Sequence, residues 1–453
     1  MRRKACVLCL AAVLTACKVG PNYHRPNVPA PPQFRFGETP PSPVSLGDYK
    51  WFDLFQDDVL RGLIKESLQA NYDIGIAAQR ILGAQGQLMA TRSAEFPHVD
   101  GQATAFRAGV NSPIITARQV LAFATWELDV FGKLRRATEA ARADMLATEE
   151  TRVAVMESII EQVAAAYFNL VEFDAEILIV QDSIKARQES LDLVIARETG
   201  GVASMLDVDQ ARSLVESAKS DLIVLERQRA QEEDLISYLL GRPPGPVARG
   251  HILTDQPYPP EVPAGLPSAL LERRPDIRAV EQQLVAANAR VGVARAAFFP
   301  SINLTAAGGY RTADLIGVFG RSGLGYGFQG LLDVPLFDAG LRAGDYKTAK
   351  AQREELVLQY LNTINGAFRD VSDALIRFQK AKEFVASQKA LTATLLDQNT
   401  LANARWAGGV TSYLEVLDTQ RQLLTSEQLL AQARRDVLTS IVQLYQALGG
   451  GWR

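Results

Sequence analysis

Residues 361–378 read LNTINGAFRDVSDALIRF, and residues 153–170 read VAVMESIIEQVAAAYFNL. In the first stretch Leu361, Ile364, Phe368, Val371, Leu375 and Phe378 are spaced 3, 4, 3, 4, 3. In the second, Val153, Met156, Ile160, Val163, Tyr167 and Leu170 repeat that spacing. Steps of three and four put a narrow apolar seam along a helix, as in coiled coils, rather than the wider stripe of an ordinary surface helix. The first stretch sits in a proline-free run from Leu341 to Leu448, punctuated by Gly408-Gly409-Val410. At roughly 1.5 Å per residue, a helix from Leu341 to Ala407 is on the order of 100 Å long. No compact single-domain core needs such a rod.

The two seams lie 208 positions apart, and their register continues without a gap. Ala196-Arg197 matches Ala404-Arg405, and Gly200-Gly201-Val202 matches Gly408-Gly409-Val410. Ser204 matches Ser412, Leu206 matches Leu414, and Leu240-Gly241 matches Leu448-Gly449. Upstream, at an offset of 203, Asp73-Ile74 through Phe96-Pro97 parallels Asp276-Ile277 through Phe299-Pro300. Internal duplication is therefore the first organising fact, and it argues for one body of two halves. The first half spans 51–241 and the second 276–449, with a tail at 450–453.

The 453 residues are 47% hydrophobic and 22% charged, ordinary for a folded chain. A net charge of −3 offers no basic field for nucleic acid. Three Cys and three His leave little material for a metal site or a disulfide framework.

Residues 1–16 read as a secretory signal. Arg2, Arg3 and Lys4 form a charged start, and Ala5 to Leu14 is an apolar run too short to span a membrane as a helix. Leu14-Thr15-Ala16-Cys17 resembles a bacterial lipobox. Cleavage before Cys17 leaves that thiol to carry diacylglycerol and the new amine to carry an acyl chain. It also removes Cys6 and Cys9 and takes the net charge to −6. Lys18, rather than Asp, follows the cysteine, which by analogy with lipoprotein sorting favours the outer membrane.

The lipidated strap, 17–50, carries eight prolines from Pro21 to Pro43 and reads as an extended segment anchored by Trp51-Phe52 and Phe55. A short capped helix from Asp57 to Ser67 and a helix from Asp73 to about Glu95 follow. Val99 to Arg107 and Gln119 to Leu128 read as two strands around a loop with Asn111-Ser112-Pro113, a hairpin over 99–128. After Pro300 the alternation is clearer. Ile302, Leu304 and Ala306 alternate with Ser301, Asn303 and Thr305; Leu324, Tyr326 and Phe328 alternate with Gly325, Gly327 and Gln329, a hairpin over 301–335. Strands of about 9 to 11 residues suit a tilted membrane barrel, and they also suit soluble hairpins at the end of a coiled coil. Phe131-Gly132-Lys133 leads into the first long helix, ending near Thr199, and Phe337-Asp338-Ala339-Gly340 leads into the second. The segment 242–275 holds nine prolines and reads as a linker wrapped round the helices.

Four strands per chain cannot close a barrel, and open edges are not tolerated in hydrocarbon. Three copies supply twelve strands, an even count within the known bacterial range and wide enough for a lumen. The expected fold is mainly α with a membrane β-barrel portion and a two-fold internal repeat. A trimeric 12-stranded outer-membrane barrel, four strands per chain, continues into a long periplasmic barrel of coiled coils.

The chain resembles the TolC-like outer-membrane factors, and within them the lipoprotein branch serving resistance-nodulation-division multidrug efflux pumps. The matching pieces are the lipobox with Cys17-Lys18-Val19-Gly20-Pro21-Asn22-Tyr23-His24-Arg25-Pro26 and Trp126-Glu127-Leu128-Asp129-Val130-Phe131-Gly132. Glu272-Arg273-Arg274-Pro275-Asp276-Ile277 and Gly408-Gly409-Val410-Thr411-Ser412-Tyr413-Leu414-Glu415-Val416-Leu417-Asp418 complete the set. The resemblance implies a homotrimer that exports drugs or other small molecules passively. Its implied partners are a periplasmic membrane-fusion adaptor, an inner-membrane resistance-nodulation-division pump reached through that adaptor, and outer-membrane lipid. It implies no cofactor beyond the covalent N-acyl and S-diacylglycerol lipid on Cys17.

A conduit needs a lumen and a gate. Glu415 and Asp418 lie three apart on one helix face, and trimerisation turns each into a ring of three carboxylates. Such rings favour cations and hold a closed state by hydrogen bonds to neighbouring helices. The resemblance places acids at these positions around the periplasmic aperture. Asp207 is the first-half counterpart of Glu415, whereas Gln210 replaces Asp418, so the tightest ring is expected on the second tip. The other reading of these acids is that they are solvated helix-start charges complementing the helix dipole. Gly200, Gly201, Val202, Gly408, Gly409 and Val410 are tight turns needing positive φ, and the resemblance also makes them adaptor-contacting tips. Arg197 and Arg405 are expected to cap carbonyls or pair with acids.

Two further functions stay open at this level: a type I protein-secretion conduit, and a lipid-anchored structural coiled coil without a pore. No nucleophile–base set, metal spacing or phosphate loop suggests an enzyme.

Overall fold

The computed structural model describes residues 18–37, 44–109, 115–258, 262–312 and 324–450. The signal segment, Cys17, the Asn111-Ser112-Pro113 loop and the last three residues lie outside them. The helices are α1 (Asp58–Ala70), α2 (Tyr72–Ser93), α3 (Lys133–Thr199), α4 (Met205–Leu239), α5 (Pro275–Ala296), α6 (Leu341–Ala407) and α7 (Tyr413–Ala447). The strands are β1 (His98–Ala108), β2 (Ile115–Leu128), β3 (Ser301–Thr312) and β4 (Leu324–Asp333). The duplication is carried to the residue: α3 and α6 each have 67 residues, and α4 and α7 each have 35. The 3-4-3 seams become the buried lines. Ile160, Val163, Tyr167 and Leu170 are buried on α3, as are Ile364, Val371, Leu375 and Phe378 on α6.

The chain divides into two compact units. The first takes residues up to Val28, Ala78–Thr151 and Asp276–Thr363. Its centre is one antiparallel sheet in the order β1-β2-β3-β4, so the hairpin of each half pairs with that of the other through β2 and β3. The register decides what each face offers. Trp126 pairs with Leu304, Ala124 with Ala306 and Leu128 with Ile302; across the next ladder Ala306 pairs with Phe328, Gly308 with Tyr326 and Ile302 with Leu332. Paired residues share a face, so these positions make one apolar face. The alternate pairs are Asn303 with Glu127, Thr305 with Thr125 and with Gln329, and Ser301 with Asp333. On β1, His98, Asp100, Gln102 and Thr104 continue that face, where Asp100 and Gln102 pair with Phe123 and Leu121 of β2. Among the described residues no helix is long and apolar enough to cross a membrane.

The strap's first residues are fastened within this unit. The Val19 amide donates to the Phe131 carbonyl at 3.1 Å. Arg136, buried on α3, donates to the carbonyls of Val19 and Gly20 and to Asn22 Oδ1. Arg25 forks onto Glu281 of α5 with bonds of 2.7 and 2.5 Å, and the Tyr23 hydroxyl joins at 3.1 Å. Gly20 holds φ +100°, and a Cβ there would stand 2.5 Å from Gly292 Cα, so only glycine allows this approach. Ala140 and Ala143 of α3 meet Ala286 and Ala289 of α5, small side chains that let two helices pack closely.

The second unit takes Pro29–Ala77, Arg152–Pro275 and Ile364–Arg453. Its polar hub is Asp57, the N-cap of α1, which accepts from the Val59 and Leu60 amides. It also accepts from Tyr167 on α3 at 2.7 Å, from the His251 amide at 3.0 Å and from Gln256 at 3.1 Å. Burial raises its carboxyl, but these donors outweigh burial and hold it below the usual carboxylate value. The 242–275 segment is fastened in the same way: Arg249 bonds Asp174 at 2.8 Å and Glu233 at 2.5 Å.

The strap's anchors differ from the expectation. Phe55 is buried against Phe168 and Tyr445, and Phe34 against Phe368. Trp51 and Phe52 pack edge-to-face on each other at 5.6 Å, and Phe52 stays 42% exposed. The reason is local: Trp51–Leu54 forms one helical turn whose inward residue is Leu54.

Candidate functional site

The two glycine turns are built alike. α3 ends with Gly201 at φ +74°, and the Val202 amide donates back to the Arg197 carbonyl at 2.9 Å. α6 ends with Gly409 at φ +73°, and the Val410 amide donates to the Arg405 carbonyl at 2.9 Å. Each closes its helix with the left-handed residue that glycine supplies without strain. Val202 and Val410 stand 79% and 72% exposed, with Leu206 and Leu414 exposed just beyond them. Behind the turns one apolar cluster joins both hairpins: Leu191 and Val194 of α3, Val208 of α4, Trp406 of α6, and Tyr413 and Val416 of α7.

A line of polar side chains on α3 fastens the second tip to the first. Arg187, Ser190 and Arg197 share one stripe with Val194, spaced three, four and three. Arg187, 3% exposed, donates to the Leu214 carbonyl at 2.9 Å and the Gln420 carbonyl at 3.3 Å. The Ser190 and Tyr413 hydroxyls bond at 2.9 Å. Arg197 donates to the Trp406 and Ala407 carbonyls at 3.0 and 2.7 Å and lies over the Trp406 ring at 4.3 Å. It thereby caps the end of α6, where carbonyls lack helical partners. Its repeat mate Arg405 does no such thing and approaches Glu415 at 3.8 Å.

The acids at the two helix starts also differ. Ser204 and Asp207 form a closed capping box: the Ser204 amide and hydroxyl donate to Asp207, and the Asp207 amide donates to Ser204 Oγ. Ser412 makes no side-chain cap bond. The Glu415 carboxylate instead accepts from the Thr411 hydroxyl. Asp418 is exposed, accepts from Gln422 at 2.7 Å and has Arg421 at 3.9 Å. The structure therefore puts Glu415 and Asp418 on one open helix start and gives Asp207 a local capping partner.

The match to known proteins decides the family. A sequence model of the outer membrane efflux protein family covers residues 63–242 and 266–450. The chain belongs to the outer membrane efflux protein family. It is 34% identical to the cation efflux system protein CusC of Escherichia coli O6:H1, over 98% of this chain and 98% of that one. It is 34% identical to the solvent efflux pump outer membrane protein SrpC of Pseudomonas putida, over 100% of this chain and 99% of that one. The crystal structure of the open state of the Neisseria gonorrhoeae MtrE outer membrane channel superimposes with a TM-score of 0.88 at 30% identity, over 96% and 99% of the two chains.

As an outer membrane efflux protein, the chain is an outer-membrane exit duct that extends into the periplasm. The sequence singled out the glycine turns, the two acids and Arg197, and named Tyr413 only as part of a motif; Arg187, Ser190 and Trp406 it did not single out. A polar residue recurring within an apolar seam was the available signal for Arg187 and Ser190. Nothing local told that Arg197 would cap a helix more than 200 positions away.

Proposed function

We propose that three copies of this chain close a twelve-stranded barrel in the outer membrane and pass small molecules outward. One observation carries the reading: the register gathers Trp126, Leu304, Tyr326 and Phe328 on one face of the sheet and Glu127, Asn303, Thr305 and Gln329 on the other, a division sharpest in β3 and β4. Among the described residues the outer edges of β1 and β4 pair with no strand. A lipid-facing and water-facing pair of surfaces with two open edges calls for closure by further copies. A structural coiled coil without a pore has no use for such a sheet. The relatives named for cations and for solvents support small molecules as cargo rather than folded proteins.

The exposed Val202, Leu206, Val410 and Leu414 at the turns support docking of a periplasmic adaptor, which links the duct to an inner-membrane pump. Glu415 and Asp418 form the gate. Glu415 closes no capping box; its carboxylate takes the Thr411 hydroxyl and has Arg405 at 3.8 Å, contacts that a neighbouring helix can replace. Asp207, held in its capping box, is the lesser contributor. Cys17 carries the lipid, a reading supported by the lipobox and by the clamping of Lys18 to Arg25 directly after it. Mass spectrometry of the mature chain reads that lipid directly.

Planar-bilayer recording tests the gate. The double variant Glu415→Ala and Asp418→Ala should conduct severalfold better than the parent. Parent-like conductance would remove both acids from the gate while leaving the duct reading intact; absence of any channel from the parent chain would overturn the duct.

A further inference from the structure

Away from the tips, in the second unit, α3, α7, the 249–254 stretch and Thr392 of α6 line a cleft of about 490 Å³. That lies within the range of about 300–1,000 Å³ typical of small-molecule sites. On α7 the wall is Glu427, Leu430, Ala431 and Arg434, at i, i+3, i+4 and i+7, hence one helix face. Leu178 of α3 and Leu253 of the 249–254 stretch also line it. That stretch is held firmly, because Arg249 is paired with Asp174, another lining residue, and with Glu233.

Arg434 is the unexplained group. It is partly buried in this lining, yet among the described residues it makes no hydrogen bond or ion pair. Arg249, which lines the same cleft, is by contrast paired with Asp174 and Glu233. The Arg434 nitrogens stay within reach of solvent, so the guanidinium is open to a ligand that brings a carboxylate or sulfonate. Glu427, two helical turns or roughly 10 Å away, is likewise without a partner. Burial first, and then the charge of Asp182, push its carboxyl above the ordinary carboxylate value.

We propose that this cleft binds an apolar organic anion, an aryl or alkyl carboxylate or sulfonate, with its head on Arg434 and its body along Leu430, Ala431, Leu178 and Leu253. Planar guanidinium and carboxylate form two parallel bonds, which gives the head its orientation. The apolar walls take the body, which needs no further polar partner. The occupant ties α3, α7 and the linker together. The proposal stands apart from the gate and from the choice of exported cargo.

The test uses the full chain assembled in lipid nanodiscs, with empty nanodiscs as reference. The probe is a para-fluorinated phenylbutyrate, followed by broadening of its fluorine signal, beside the uncharged amide of the same molecule. The acid should bind saturably, one per chain. Arg434→Gln should weaken the acid about tenfold, as loss of one charge-assisted pair does, and leave the amide unchanged. Arg434→Lys should recover part of the loss. Because Arg434 makes no hydrogen bond or ion pair among the described residues, its replacement removes none of those that hold the described fold. Leu430→Asp should abolish binding of both probes. No saturable broadening by the acid, equal affinity of Arg434→Gln and parent, or indifference to Leu430→Asp would each overturn the proposal.

Discussion

Glu172 and Glu176 lie four apart on α3 and are only 2% and 3% exposed. From α7, Gln432 donates to Glu176 at 2.7 Å, and Arg435 and Asp436 face the pair. Two carboxyl groups sharing a hydrogen bond need one proton between them. Burial first, then the bond and charge of Glu176, push Glu172 up to about 8 from its ordinary 4.5. The folded chain thus keeps a proton that the unfolded chain releases over that interval, so stability falls as pH rises from 4.5 to about 8. Glu172→Gln retains a hydrogen-bonding side chain without the titration. Its unfolding temperature should change less than the parent's between about pH 5 and about pH 8. A parent-like decline would show that another group titrates. At this scale the sequence was only partly legible. The Asp57 cap was read from its place before an apolar run, but its bonds to Tyr167, His251 and Gln256 come from residues 110, 194 and 199 positions away.

Elements were far more legible. Helix lengths, glycine turns and the offset between halves all follow from local pattern, since caps, seams and breakers act over a few residues. What the pattern concealed is that equal elements do unequal work. Arg197 and Arg405 occupy matching positions, but only Arg197 caps the other hairpin and lies on an indole. Arg197→Ala should therefore loosen the end of α6 by about 1–2 kcal/mol, and amide exchange over 404–410 should quicken roughly five- to thirtyfold. Arg405→Ala should leave exchange there within about twofold, because an exposed pair at 3.8 Å contributes little. Equal effects of the two variants would refute the asymmetric latch.

For the whole molecule the decisive feature is the two-faced sheet. Tyr326 lies on the apolar face, paired with Gly308, and Gln329 on the polar face, paired with Thr305. Tyr326→Lys should oppose membrane insertion by up to about 2–4 kcal/mol, and less if the site lies near an interface. Gln329→Lys should insert normally and alter ion selectivity. Flotation of membranes in a density gradient separates the two, and normal insertion of Tyr326→Lys with failure of Gln329→Lys would invert the assignment of faces. The alternation was legible in β3 and β4, where large apolar residues mark one side. It was blurred in β1 and β2, where Gly101, Ala103 and Ala122 are small and Arg118 falls in line with Val120.

The sequence by itself determined the duplication, the lengths of the long helices, the glycine turns and the alternation of β3 and β4, because each is written in side-chain period and backbone freedom within a few residues. The tertiary structure alone decided that β2 pairs with β3, that Arg197 rather than Arg405 fastens the tips, that Asp207 is consumed in a cap while Glu415 is not, and that Arg434 faces a cleft without a partner. Those outcomes depend on groups brought together from distant positions. Two identical local patterns cannot specify which of them receives a long-range neighbour; only the packed chain assigns it.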